Sequence, residues 1–393
     1  MSQHHPIAVT GMGAVTALGA GTNSLWTGLL DGRRPFAPVR AFDASTCRVN
    51  LAAEVSVRLP NEGNSRAADL GVMAAREALL ESSRLPERDR IGLVVGSTGS
   101  GDHSLELALA GAPESALFWQ RCLKGQLADD IATILHLGPS RQVINTACSS
   151  GAIAIALARD GLLAGDYDMA LAIGCDELGS VTYSGFSALR ALDTEPCRPF
   201  DKNRHGMTIG EGAGCLVLER LEDALSRNKR IRAIIAGAGL SCDSHHLTAP
   251  DPDGRGASLA FEKALAEANL VPSDVGFINA HGTGTPLNDA AEIAGIERVL
   301  CHHATSCLVH SVKASTGHCM GAAGTIEAIA SIMSLETGLL PATAGLCDCE
   351  FEGRVDCVKS TPRRFEAKYG VSNSFGFGGN NASLVIAHAV TAS

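Results

Sequence analysis

The chain reads as a layered α/β protein made of two similar halves. Three observations carry that reading. Short apolar runs with β character alternate with longer segments at helical spacing. The same grammar runs through residues 1–230 and again through 231–393. Hydrophobic residues make up 45% of the 393 positions and charged ones 19%, with 43 glycines and 4% aromatics. That composition supplies a large core and suits close helix–sheet packing.

Taken in order, residues 7–10 are a strand that runs into the turn Gly11-Met12-Gly13. Gly11, Gly13 and Gly19 miss the G-x-G-x-x-G spacing of a dinucleotide loop, so a packing turn is read. Residues 65–81 form an amphipathic helix with Leu70, Met73, Ala74 and Ala78 along one stripe. The near-continuous apolar run 91–97 reads as a parallel strand covered on both faces, and Gly99-Ser100-Gly101 opens a loop. Val143-Ile144 begins a buried strand that turns at Asn145-Thr146-Ala147-Cys148-Ser149-Ser150-Gly151 into a helix over 152–163. Strands follow at 169–174 and 215–218, and polar residues 220–229 cover a helix and the junction. In the second half strands fall at 233–238, 275–280, 307–312, 369–372 and 383–387. Helices fall at 257–268, 289–300 and 322–337. The alternation predicts a mainly parallel sheet with helical covers.

The net charge of −10 argues against general nucleic-acid binding, and no Lys/Arg-rich block offsets it. The 13 cysteines have neither a signal peptide ahead of them nor metal-type spacing; Cys347-Asp348-Cys349 alone is weak. They read as reduced cytosolic thiols, which makes the expected location cytoplasmic, with no metal. No apolar run is seen to reach the ~18 residues of a membrane helix. His4-His5, His245-His246 and His302-His303 read as ordinary polar surface.

Cys148 lies where a strand becomes a helix. The free N–H groups and partial positive charge of a helix start favour a thiolate there. Three glycine-framed stretches follow strands in the second half, where α/β sheets host ligands. They are Asn279-Ala280-His281-Gly282-Thr283-Gly284-Thr285-Pro286, Lys313-Ala314-Ser315-Thr316-Gly317-His318-Cys319-Met320-Gly321-Ala322-Ala323-Gly324, and Asn373-Ser374-Phe375-Gly376-Phe377-Gly378-Gly379-Asn380-Asn381. One cysteine and two histidines suit a definite chemistry. A thiolate can take an acyl group as a thioester. Two neutral imidazoles can donate hydrogen bonds to a thioester oxygen and stabilise an enolate beside it, as decarboxylation requires. A cysteine protease would leave the second histidine without work.

Together Thr146-Ala147-Cys148-Ser149-Ser150-Gly151, the His281 and His318 stretches and Gly376-Phe377-Gly378-Gly379 resemble the signature of the β-ketoacyl-acyl carrier protein synthases. The motifs fall in that family's order and span nearly the whole chain. The resemblance implies the thiolase fold, a five-layer α-β-α-β-α sandwich of two similar halves, usually dimeric. It implies that Cys148 is acylated and that His281 and His318 bind the malonyl thioester carbonyl and promote loss of carbon dioxide. The enolate would then attack the acyl carbonyl in a Claisen condensation. The N–H groups of Cys148 and Phe377 would form the oxyanion hole. Lys313 matches the active-site lysine with Glu327 as its partner, and a lysine near His318 should help keep that imidazole neutral. Phe186 and Phe377 match gating phenylalanines beside the acyl pocket. No cofactor is implied, since substrates ride on the phosphopantetheine arm of acyl carrier protein. That acidic carrier calls for a basic docking patch, with Arg66, Arg190 and Arg204 as candidates.

The chain also departs from the pattern. Asn288-Asp289 stands where Gly-Asp is usual, and His205-Gly206-Met207 replaces Asp-Gly-Phe after Arg198-Pro199-Phe200-Asp201. The stretches 97–148 and 192–198 are short, and Gly99 stands where a larger apolar residue is usual near the acyl pocket. These features lean towards polyketide or aryl-polyene synthesis rather than fatty-acid elongation. The partner would be a second copy or a chain-length-factor-like paralogue. A chain-length factor itself usually lacks the cysteine. A coenzyme A thiolase needs a second acid–base cysteine, and Cys357 lies outside a matching glycine motif.

Overall fold

A computed structural model describes residues 6–60, 65–82, 90–112 and 115–389; His4-His5 lies outside them. Strands of the first half are β1 (Ile7–Thr16), β2 (Ile91–Gly96), β3 (Arg141–Ile144), β4 (Met169–Asp176) and β5 (Gly212–Arg220). Those of the second are β6 (Ala233–Cys242), β7 (Val275–Asn279), β8 (Leu308–His310), β9 (Asp356–Cys357), β10 (Tyr369–Gly376) and β11 (Asn380–His388). The first half is ordered β3-β2-β4-β5-β1 and the second β9-β8-β7-β10-β11-β6. In the first, β3, β2 and β4 run parallel while β5 and β1 pair antiparallel. In the second, β8, β7 and β10 run parallel while β11 and β6 pair antiparallel. The same pattern is thus laid down twice, joined where Ile7–Val9 pair with 233–235.

The sheet is therefore mixed, not mainly parallel as the sequence suggested. A strand covered on both faces is apolar throughout whichever way it runs, so composition does not report direction. Helix α1 (Arg66–Ser82) and α2 (Gln126–Leu135) cover the outer face of the first half. Helices α3 (Ser150–Ala164) and α4 (Ala323–Thr337) fill the space between the halves, and α5 (Arg255–Glu267) and α6 (Pro286–Leu300) cover the outer face of the second. These are the five layers of the thiolase fold. The central helices are apolar nearly all round because both sides are covered. By length and composition 147–164 could cross a membrane, against the sequence reading; in the fold 67% of it is buried. Its alanines and glycines made the run look less apolar than it is.

The helices over Thr22–Leu30, Asp102–Leu109, Ser115–Arg121 and Ser180–Ala188 were not read from the sequence. They are short, and tertiary contacts fix them more than periodicity does. Strand β3 is also half exposed rather than buried, as the edge of its sheet.

Candidate active site

The site forms where the central helices begin. A Cβ on Gly151 of α3 would lie 2.6 Å from the Gly321 carbonyl, and one on Gly324 of α4 would lie 2.5 Å from the Ala152 nitrogen. The absence of side chains lets the two helix starts abut. That contact brings the Cys148 turn of the first half against the His318 loop of the second.

Cys148 sits two residues before α3, on a tight turn. Ala147 has φ +53°, uncommon for a residue with a Cβ. Two serines lace the turn. Ser149 Oγ donates to the Thr146 carbonyl at 2.8 Å, Ser150 Oγ donates to the Ala147 carbonyl at 2.6 Å, and Thr146 N–H donates to Ser150 Oγ at 2.9 Å. A Cβ on Gly376 would lie 2.6 Å from the Thr146 carbonyl oxygen and 3.2 Å from Cys148 N, so the Gly376-Phe377 backbone is pressed against this turn.

Cys148, His281 and His318 line one cavity of about 380 Å³, together with Phe186, Met207, Phe375 and Phe377. The two imidazole rings stand edge-on at 5.3 Å between centroids. Lys313, 1% exposed, pairs with Glu327 behind them, and its Nζ lies 3.2 Å from His281 Nδ1. An ammonium can only donate, so it fixes the His281 proton on Nε2. The lysine thus contacts His281 directly, and it lies close enough to His318 for its charge to act there as well, as the sequence reading expected.

Burial, and behind it the Lys313 charge, hold both imidazoles well below the usual histidine range; His281 also feels His318. Both are neutral at physiological pH. The Cys148 thiol goes the other way. Burial pushes it up to about 12, and Lys313 only partly offsets that. The expected thiolate is therefore overturned. The helix-start field is worth about 1 kcal/mol, while burying an anion costs several.

Phe186 and Phe377 both line the cavity and pack against each other, 5.3 Å between centroids with the rings tilted. Gly99 does not line it. Its N–H donates to Asp176, and an added Cβ would point at Asp102, Thr182 and Asp176. The arginines part ways. Arg66 is committed to buried Glu211, and Arg204, 5% exposed, pairs with Asp289 and Glu350, so neither forms a docking patch. Arg190 stays exposed at the cavity mouth beside Leu189. Glu292 escaped the sequence reading, as did the role of Asp289. Glu292 accepts the N–H groups of His281 and Gly282, both at 2.8 Å, and burial raises its carboxyl to about 7. Asp289 accepts from Phe200 N–H and Gly284 N–H. An acidic residue on the apolar face of the helix read at 289–300 was the available signal.

A thiol facing two neutral imidazoles at the junction of two thiolase-like halves defines a thiolase-fold protein with a cysteine–histidine site. The chain belongs to the β-ketoacyl synthase family: the N-terminal domain of that family matches residues 4–224 and its C-terminal domain residues 232–346. It is similar to 3-oxoacyl-acyl-carrier-protein synthase 2 of Vibrio harveyi, 35% identical over 96% of this chain and 97% of the relative. The mitochondrial 3-oxoacyl-acyl-carrier-protein synthase of Arabidopsis thaliana is also 35% identical, over 98% of this chain and 93% of the relative. Among solved structures, the ishigamide ketosynthase/chain length factor superposes with a TM-score of 0.91 at 33% identity, covering 98% of this chain and 99% of that one. A chain of the complex between the ketosynthase ApeO and its chain length factor ApeC from Xenorhabdus doucetiae gives 0.83 at 28% identity, covering 99% of each chain.

Proposed function

We propose that the chain is a 3-oxoacyl-acyl carrier protein synthase, an acyltransferase that extends an acyl chain by decarboxylative Claisen condensation. The observation that carries this reading is the shared cavity of Cys148 and two uncharged histidines. Cys148 Sγ attacks the carbonyl of an acyl thioester. The carrier's pantetheine thiol leaves with the cysteine's proton, and the acyl group stays on sulfur. The malonyl thioester oxygen then accepts hydrogen bonds from His281 Nε2–H and from His318. The bond to the carboxylate breaks, carbon dioxide leaves, and the electron pair is held as an enolate. Protonated imidazoles would themselves be acidic enough to quench that enolate, so their neutrality matters. The enolate carbon attacks the acyl carbonyl, with the Cys148 and Phe377 N–H groups receiving the oxyanion; the C–S bond then breaks with its electron pair on sulfur, and the departing sulfur takes a proton from solvent to restore the thiol. Phe186 and Phe377 gate the acyl pocket, and Lys313 with Glu327 holds His281. No cofactor enters these steps.

We infer acyl carrier protein as the donor, with Arg190 the remaining basic docking candidate at the mouth. The relatives named for such a synthase, and those solved with a chain length factor, support a partner of this kind. Among the described residues β3 pairs on one side only. An open edge invites a second copy or a paralogue. The ketosynthase neighbours and the His205-Gly206-Met207 departure favour a polyketide or aryl-polyene chain over general fatty-acid synthesis. Thirteen unpaired thiols favour the cytoplasm.

The test is Cys148→Gln. It should abolish condensation of an acyl thioester with malonyl-carrier protein while carbon dioxide release from malonyl-carrier protein persists or rises. Loss of both reactions would contradict the division of labour.

A further inference from the structure

The three groups named above come from different halves of the molecule, and their relative placement must be fixed by something. The carboxylate of Asp176, at the end of β4, lies between them. It is fully buried and has no ion-pair partner among the described residues. Four donors converge on it. Ser97 Oγ–H donates at 2.6 Å, Thr98 N–H at 2.9 Å, Gly99 N–H at 2.9 Å and Gly321 N–H at 2.6 Å. Gly321 follows His318 by three residues, and a Cβ there would lie 2.7 Å from Asp176 Oδ2. On the other side Thr98 Oγ1 donates to the Ala147 carbonyl at 3.0 Å, one residue before Cys148. The carboxylate therefore touches the His318 loop directly and the cysteine turn through one threonine.

We propose that Asp176 is a positioning residue that sets the separation between the acyl-carrying turn and the histidine loop. The proposal rests on the condensing reading above. An anion suits the place because all four neighbours donate and a carboxylate offers about four lone-pair sites. An uncharged, better-solvated network would not pin both loops to one point. Burial raises this carboxyl to about 6, so the fold bears a cost to keep an anion here.

The consequence separates partial reactions from the whole. Acylation needs the cysteine turn, decarboxylation needs the histidine loop, and only condensation needs both in register. Three rates are measured on wild type and on Asp176→Asn: mass gain at Cys148 from acyl-carrier protein, carbon dioxide release from malonyl-carrier protein, and 3-oxoacyl product. The carboxamide places a donor against backbone donors and loosens the join. Condensation should fall about 100-fold, the size of effect expected from a misplacement near 1 Å, while each partial reaction changes by less than about threefold. An equal fall in all three rates, or no fall in any, overturns the proposal. If Asp176→Asn does not fold, Thr98→Val cuts the link to Ala147 without touching the carboxylate. It should show the same split at about 10-fold, and a uniform or absent effect there overturns the proposal as well. Wild-type protein that fails either partial reaction overturns the condensing reading, and this proposal with it.

Discussion

At the scale of single residues, the site is governed by burial more than by local dipoles. Cys148 stands close to a helix start, yet its thiol is held protonated because the cavity wall removes water. The rate of its alkylation by iodoacetamide should then climb about tenfold per pH unit from 7 to 9, as the scarce thiolate grows. A plateau reached by pH 8 would show that the helix field wins after all. The histidines follow the opposite sign. Their folded-state pKa lies below the usual value, so the neutral form persists on the acid side of 6.5. Carbon dioxide release by the Cys148→Gln variant should hold level through pH 6, and half-loss near 6.5 would contradict the account. Lys313 and Glu327 are each 1% exposed. Such a pair adds little net stability, but removing one partner strands the other. Lys313→Met should cost about 3–5 kcal/mol in denaturant unfolding and slow decarboxylation, because the His281 tautomer is released. A loss under about 1 kcal/mol would mean that the pair is solvated.

At the scale of elements, the crossing of α3 and α4 decides whether there is a site at all. The backbones meet through Gly151 and Gly324, and the nearest atom a side chain at either would strike is backbone. Gly151→Val should destabilise the protein by about 1–3 kcal/mol and reduce condensation, by melting point and product assay; unchanged values for both would refute the close contact. This scale also shows what a sequence can tell. Cys148, His281 and His318 were legible because each lies in a glycine-rich loop after an apolar strand, and the resemblance to a family ordered them. The 65–81 helix and the paired halves were legible from periodicity. The docking roles given to Arg66 and Arg204 were not, since nothing in an arginine's neighbours along the chain announces that Glu211 or Glu350 waits across the fold. Gly99 was misread for the same reason: its Asp176 contact spans 77 residues. Strand direction escaped because doubly covered strands carry no directional pattern.

At the scale of the whole molecule, the chain is one pattern laid down twice and closed around two central helices. Cys148 belongs to the first copy and both histidines to the second, so the shared cavity is a property of their joining. The exposed edge at β3 adds a further level. Native mass spectrometry after co-expression with neighbouring genes should show a dimer, with itself or with a paralogue; a monomer at micromolar concentration would refute the open-edge argument. The most direct measurement on the central claim is simpler. The protein is incubated with an acyl-carrier thioester, digested, and the acylated peptide located by mass. The account predicts one acyl group on Cys148, removed when malonyl-carrier protein is added, with 3-oxoacyl product released. Label elsewhere, or a Cys148 that stays bare under conditions that load a known ketosynthase, would contradict it.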